Sequence, residues 1–164
     1  MQAAAQPLSD AQSAWAGSYS APLRAQRMVT ARSADERFVA LLDAYRASGG
    51  LGRGDEAVSV LRGAGQGDLP TLARWVSDGD VLCLSWQREI WLPLFQFGKR
   101  ASASWGQLRQ SIQELHAVYD AWELAEWFVQ PHAVLNDETP VSKISTDGPA
   151  VLQAARAERF ILRG

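Results

Sequence analysis

One stretch of this chain, Val81 to Phe97, drops the three-to-four-residue apolar spacing that governs the rest. Helical stripes place apolar residues at i, i+3, i+4 and i+7, whereas strands favour short β-branched and aromatic runs. Val81-Leu82-Cys83-Leu84-Ser85-Trp86 and Ile90-Trp91-Leu92-Pro93-Leu94-Phe95-Gln96-Phe97 are such runs, separated by the polar Gln87-Arg88-Glu89. This predicts one central β-hairpin over 81–98, burying Leu82, Leu84, Trp91 and Phe95 against helices. Pro93 has no N–H for a ladder, so the second strand is an edge or ends there. The expected fold class is mainly α, a helical bundle around that hairpin.

Helix signals flank it. Ser33 and Glu36 form a capping box, and Phe38, Leu41, Leu42 and Tyr45 follow at helical spacing until Ser48-Gly49-Gly50. A second helix reads from about Asp55 to Arg62 on Ala57, Val58 and Leu61, and Gly63, Gly65 and Gly67 end it. Asp68 caps a third, running to Ser77, with Pro70 in its first turn and Leu69, Leu72, Ala73 and Val76 inward. Gly98 to Ser104 reads as loop. Leu108, Ile112, Leu115 and Tyr119 then form a stripe, and Asp120 with Glu123 caps a new helix over Ala121 to Val129, stopped by Pro131. A short helix starts at Thr139-Pro140. The last starts at Pro149, with Val151, Leu152, Ala155 and Leu162 inward. The divisions expected are a flexible N-terminal arm over 1–33, helix-turn-helix-like helices over 34–80, the hairpin over 81–98 and a helical C-terminal domain over 105–164.

Charge and composition narrow the function. The formal net charge is −2, which argues against strong generic nucleic-acid affinity. Residues 34–110 balance nine cations against nine carboxylates, whereas 111–164 hold four against eight, so the acidic excess lies in the last third. One cysteine, Cys83, makes no internal disulfide, and two histidines, His116 and His132, leave little for a zinc centre. No apolar run is long enough for a membrane span, and MQAAAQPLSDAQ has neither the positive start nor the apolar stretch of a secretory signal. The expected setting is a reducing cytoplasm.

No catalytic, metal or cofactor-binding set emerges. The run Gly49-Gly50-Leu51-Gly52-Arg53-Gly54 lacks the lysine and preceding strand of a phosphate loop and reads as a turn. Cys83, inside an apolar run, reads as a structural thiol, and His116 as a surface histidine. His132 follows Pro131 at a helix end, where it meets the helix dipole or serves a partner. Three helices before a hairpin suit a winged helix-turn-helix whose reading helix presents Thr71, Arg74 and Ser77. With one cation and Asp68 and Asp78 at its ends, that helix offers weak DNA contacts at most. Trp122 and Trp127 serve either core packing or a partner groove. Arg156, Arg159, Phe160 and Arg163 form a basic, aromatic end, either complementing the helix dipole or inserting into a partner.

Three segments, GGLGRGDEAVSVL, WLPLFQF and WELAEWFVQPHAVLNDETPVSKI, together resemble the toxin-binding domain of the Xre/MbcA/ParS-type antitoxins. Pro93-Leu94-Phe95-Gln96-Phe97 matches that family's hairpin end, and Trp127, Pro131, Leu135, Asn136-Asp137 and Thr139-Pro140 match its later pattern. His132 stands where the family has asparagine, and Asn136-Asp137 fall near its turn glycine. The resemblance covers about 36–164. It implies a non-catalytic, homodimeric protein that binds a RES-domain toxin encoded beside it, a toxin that consumes NAD, and that sometimes binds its own promoter. It implies toxin contacts through Trp122, Trp127, His132, Arg156, Arg159, Phe160 and Arg163, the last segment lying over the toxin's nucleotide pocket. The alternative from a different class is a DNA-binding regulator of the same fold without a toxin.

Overall fold

Ser33 Oγ accepts the Glu36 N–H at 3.2 Å and a Glu36 carboxylate oxygen accepts the Ser33 N–H at 3.0 Å, so the expected capping box opens the first helix, α1 (Ala34–Tyr45). The computed structural model describes residues 33–164, the side chains of 99–102 excepted. The arm expected over 1–33 thus lies, Ser33 apart, outside the described residues. Seven α-helices and three short strands follow one another there: α1, β1 (Leu51–Arg53), α2 (Gly54–Gly63), α3 (Leu69–Asp78), β2 (Leu84–Trp86), β3 (Glu89–Pro93), α4 (Lys99–His116), α5 (Ala121–Val129), α6 (Pro140–Lys143) and α7 (Gly148–Arg163). The chain is mainly helical with a small antiparallel sheet, and Arg37–Gly164 forms one compact unit. No helix among the described residues is long and apolar enough to cross a membrane.

The hairpin is present but is not alone. β2 and β3 pair with Leu84 opposite Trp91 and Trp86 opposite Glu89. Gln87 and Arg88, at φ 48° and 65°, make the two-residue left-handed turn that matches strand twist. The glycine run read as a turn contributes β1, which pairs with the other side of β3, Leu51 opposite Pro93. β3 is therefore the middle strand and ends at Pro93, rather than an edge. Glycine hid β1 because it carries no side-chain pattern; a Cβ on Gly52 would sit 2.9 Å from Leu94 Cδ2, so the Leu94 side chain would have to shift. The segment 98–104, expected as loop, is helix from Lys99. Its lysine, arginine and alanines are good helix formers without an apolar stripe to reveal them.

Two apolar cores share the unit. The larger joins α1, β2, α4, α5 and α7 through Phe38, Leu41, Leu84, Ile112, Phe128 and Val151. The smaller joins α2, α3, β3 and the segment before β2 through Leu61, Leu72, Leu92 and Val81. Trp105 of α4 packs on both, its ring 4.7 Å from that of Trp75. Phe38 stacks on Trp86 at 3.9 Å and meets Trp91 edge-on at 4.9 Å, which docks the hairpin on α1. Leu82 and Leu84 are buried as expected, while Trp91 and Phe95 are half-buried against the larger core. In α3, Leu69 and Ala73 face solvent, and Trp75 joins Leu72 and Val76 inside; Leu69 stands at the helix start, where its side chain projects past the packed turn.

Gln96, buried in the turn after β3, links the hairpin's two ends. Its Oε1 accepts the Leu82 N–H at 2.6 Å, and its Nε2 donates to the Leu82 and Pro93 carbonyls at 3.0 and 2.9 Å. One side chain thus satisfies three buried backbone groups. Leaving such groups unpaired costs about 1–3 kcal/mol each. Gln96→Leu should therefore lower unfolding free energy by about 3 kcal/mol or more in denaturant titration, while Ser85→Ala on the exposed strand face should change it by less than about 0.5 kcal/mol.

Candidate functional site

α7 starts where Asp147 accepts the Ala150 N–H at 3.1 Å and Pro149 occupies the first turn. Its first half lies tightly on α4. Gly148 is buried, and a Cβ there would meet Gln107 Cβ at 3.1 Å. Val151, Leu152, Ala154 and Ala155 are buried, and Val151, Ala154 and Ala155 share the larger core with Leu108, Ile112 and Leu115 of α4. The next turn is held by charge. Glu114 of α4 pairs with both Arg156, at 3.3 Å, and Arg159. Those two arginines, with Arg159 the stronger influence, hold the Glu114 carboxyl below the usual glutamate range. Tyr119 donates its hydroxyl proton to Glu158, and burial, with that hydrogen bond second, pushes the phenol up.

Past this clasp α7 changes character. Phe160, Ile161 and Leu162 are 80%, 70% and 51% exposed, beside Arg163 and Gly164. Leu162, expected inward, lies outside because the helix runs beyond the surface of α4 that it covers: Glu114 is followed by two residues, about half a turn, before α4 ends at His116. Arg163 forms no ion pair among the described residues.

The other expected partner-binding residues fall in different settings. Asp120 accepts the Trp122 and Glu123 N–H groups at 2.8 Å each, and Glu123 reaches back to the Asp120 N–H, so the capping box read within DAWE opens α5. Trp122 is half-buried beneath Arg37, whose guanidinium lies 5.3 Å from the ring centre while pairing with both oxygens of Glu126 at 2.7 and 3.0 Å. Trp127 is 3% exposed and belongs to the larger core, so it presents no surface. Its carbonyl accepts the His132 Nε2–H at 3.0 Å, and the two rings lie 4.6 Å apart. Trp127 therefore sets the position of His132 from below. The loop that follows is clipped by the His132 N–H on the Glu138 carbonyl and the Asp137 N–H on the His132 carbonyl. Asn136 and Asp137 both adopt left-handed backbone, φ 57° and 61°. Val134 at the loop tip is 67% exposed.

The three residues expected to read DNA lie on α3, which packs in the smaller core. Arg74 and Ser77 are exposed, while Thr71 donates its hydroxyl and backbone protons to Asp68 and holds that carboxyl low. Cys83 is half-buried, and burial pushes its thiol up, away from a reactive thiolate. Among the described residues no cluster of three His, Cys, Asp or Glu is arranged to hold a metal.

Glu114 is the site residue that sequence reasoning missed. An acidic residue 42 positions from Arg156 carries no local signal, although Arg156 and Arg159, three apart, share a helix face on which one carboxylate could meet both. Because the folded Glu114 carboxyl is held low, its contribution is present above the ordinary range near ~4.3 and is lost as pH falls through the lower folded value. Glu114→Gln should cost about 0.5–1 kcal/mol at neutral pH. Melting curves of wild type and variant should converge on acidification below that range. A difference independent of pH would mean the clasp is not formed by charge.

Comparison of the whole chain with protein-family models, curated proteins and solved structures finds no match.

Proposed function

We propose that this protein is an antitoxin-like binding protein that neutralises a RES-type, NAD-consuming toxin by occluding its active site. One observation carries the reading. Phe160, Ile161 and Leu162 are consecutive on a helix, so at 3.6 residues per turn they span about 200° of its circumference. A flat contact with the protein's own surface covers only part of such an arc. A concave partner pocket surrounding the helix end covers all of it. Burying each of these side chains contributes about 1.5–3 kcal/mol, so leaving them in water favours a partner.

The flanking chemistry supports the same reading. Arg163 adds a cation at the turn, one that forms no ion pair among the described residues, and Arg159, 37% exposed at its side chain, stands at the turn's base. Both suit a pocket built for phosphates only by blocking it, as the resemblance implies. The Glu114 clasp presents this turn on a fixed stem, which lowers the ordering cost of insertion. Arg156 and Arg159 serve first as stem, and Phe160 with Arg163 as tip. Trp122 and His132 belong to the broader surface, and Trp127 supports His132. Homodimerisation and operator binding belong to this reading through the resemblance alone, and a cytoplasmic setting through the single cysteine and the composition of the chain. For the regulator alternative, Arg74 is the cation available on α3, and Thr71 is partly committed to its own helix cap.

The test is a triple substitution at the tip, Phe160→Ser, Ile161→Ser and Leu162→Ser. All three are exposed, so the melting temperature should stay within a few degrees of wild type. Inhibition of the toxin's NAD consumption should fall by at least about a hundredfold, the loss of roughly 3 kcal/mol of contact. Trp127→Ala should instead lower stability by about 3–5 kcal/mol and inhibition with it. A folded tip variant that inhibits like wild type would rule out insertion.

A further inference from the structure

A concave feature lies among the described residues, away from the tip of α7. It is a cleft of about 690 Å³ between the end of α1, α2, the turn after β3, α4 and α6. Ligand sites typically hold about 300–1,000 Å³. We propose that this cleft binds a neutral, mostly apolar small molecule carrying a ring and at least one hydrogen-bond donor.

The walls are built and tied. Phe95 lines the cleft with its ring held parallel to Tyr45 at 5.9 Å and tilted against Phe128 at 5.8 Å. The Leu94 N–H donates to the Gly50 carbonyl at 2.9 Å, which fixes the turn that carries Phe95 and Phe97. At the other end of that turn, Gln66 makes two hydrogen bonds with the Gly98 backbone, at 2.8 and 3.1 Å. Val60, Leu108, Val141 and Ile144 extend the apolar lining, and Ala44 and Ala47 stand exposed at its edge. The cleft is open because its rim residues are small, not because the packing beneath is loose.

The lining chemistry selects the ligand. No Asp, Glu, Lys or Arg lies among the described lining residues, so an ion entering would lose water without gaining a counter-charge. Hydroxyls line part of the cleft, and three of the five among the described residues, those of Ser48, Thr139 and Ser142, spend their protons within the protein. Ser48 donates to the Tyr45 carbonyl at 2.9 Å, Ser142 to the Thr139 carbonyl at 2.8 Å, and Thr139 to Ser142 at 3.0 Å. Their remaining capacity is lone pairs, which accept. A ligand matched to this wall donates N–H or O–H and lays an apolar ring along Phe95.

The inference does not rest on the antitoxin reading. The probe is N-phenyl-1-naphthylamine, a neutral aryl amine with one N–H, titrated into the full chain and followed by its fluorescence. Its anionic analogue, 8-anilinonaphthalene-1-sulfonate, is the matched control. Saturable binding at one site per chain is expected, at least about tenfold tighter for the amine than for the sulfonate. Ala47→Phe and Ala44→Phe each fill the mouth from an exposed position and should weaken the amine at least about tenfold with the circular dichroism spectrum unchanged; either variant suffices if the other misfolds. The serine triple variant at the tip of α7 should bind it like wild type. Non-saturable binding, equal affinity for the sulfonate, full binding by a folded filled variant, or loss in the tip variant alone would each overturn the proposal.

Discussion

Glu114 decides what the last helix can do. Its carboxylate sits between Arg156 and Arg159, at the point where the apolar contact between α4 and α7 runs out. Before that point α7 is core, with Val151 and Ala155 fully buried. After it, the helix continues with Phe160, Ile161 and Leu162 exposed among the described residues. Partly exposed ion pairs are individually weak, so the clasp adds little to global stability. Its consequence is geometric: it fixes the direction in which Phe160, Ile161 and Leu162 leave the surface.

The two-core arrangement assigns different tasks to different parts of one unit. The larger core holds α4, α5 and α7, so the clasp, Trp122 and the loop that carries His132 share a rigid base. The smaller core holds α2 and α3, with α1 belonging to the larger one. The sheet and Trp105 join the two. Gln96 matters because the stretch from Val81 to Cys83 is not part of a strand yet must bury its backbone beside the hairpin. A side-chain amide there does the work of a missing strand partner, at the cost of demanding one residue type.

Much of the fold was legible because its signals are local. Capping boxes at Ser33 and Asp120, the Asp68 cap and the proline starts at Pro70, Pro140 and Pro149 place helix ends from a few adjacent residues. The hairpin was legible from its change of period. What stayed hidden depends on partners distant in sequence or on residues that carry no pattern. β1 is glycine-rich and is defined by pairing with β3 some 40 residues later. The start of α4 has propensity without amphipathy. Leu162 fits the apolar stripe of α7, and only the length of α4 beneath it explains why it is exposed. The candidate site divides the same way. Phe160 and Arg163 were recognisable as an unusual ending, but the stem that makes them a tip depends on Glu114, and the burial of Trp127 depends on the whole larger core.

The central claim is that the protruding turn of α7 is made for a RES-type toxin. It is tested most directly by co-expressing the full chain with the product of the adjacent gene, purifying on a tag carried by this protein, and measuring cellular NAD. The account predicts that a RES-domain protein co-purifies in fixed stoichiometry and that NAD, depleted when the toxin is expressed alone, returns to its normal level. A folded protein that retains no RES-domain partner, with NAD unaffected by its presence, would contradict it.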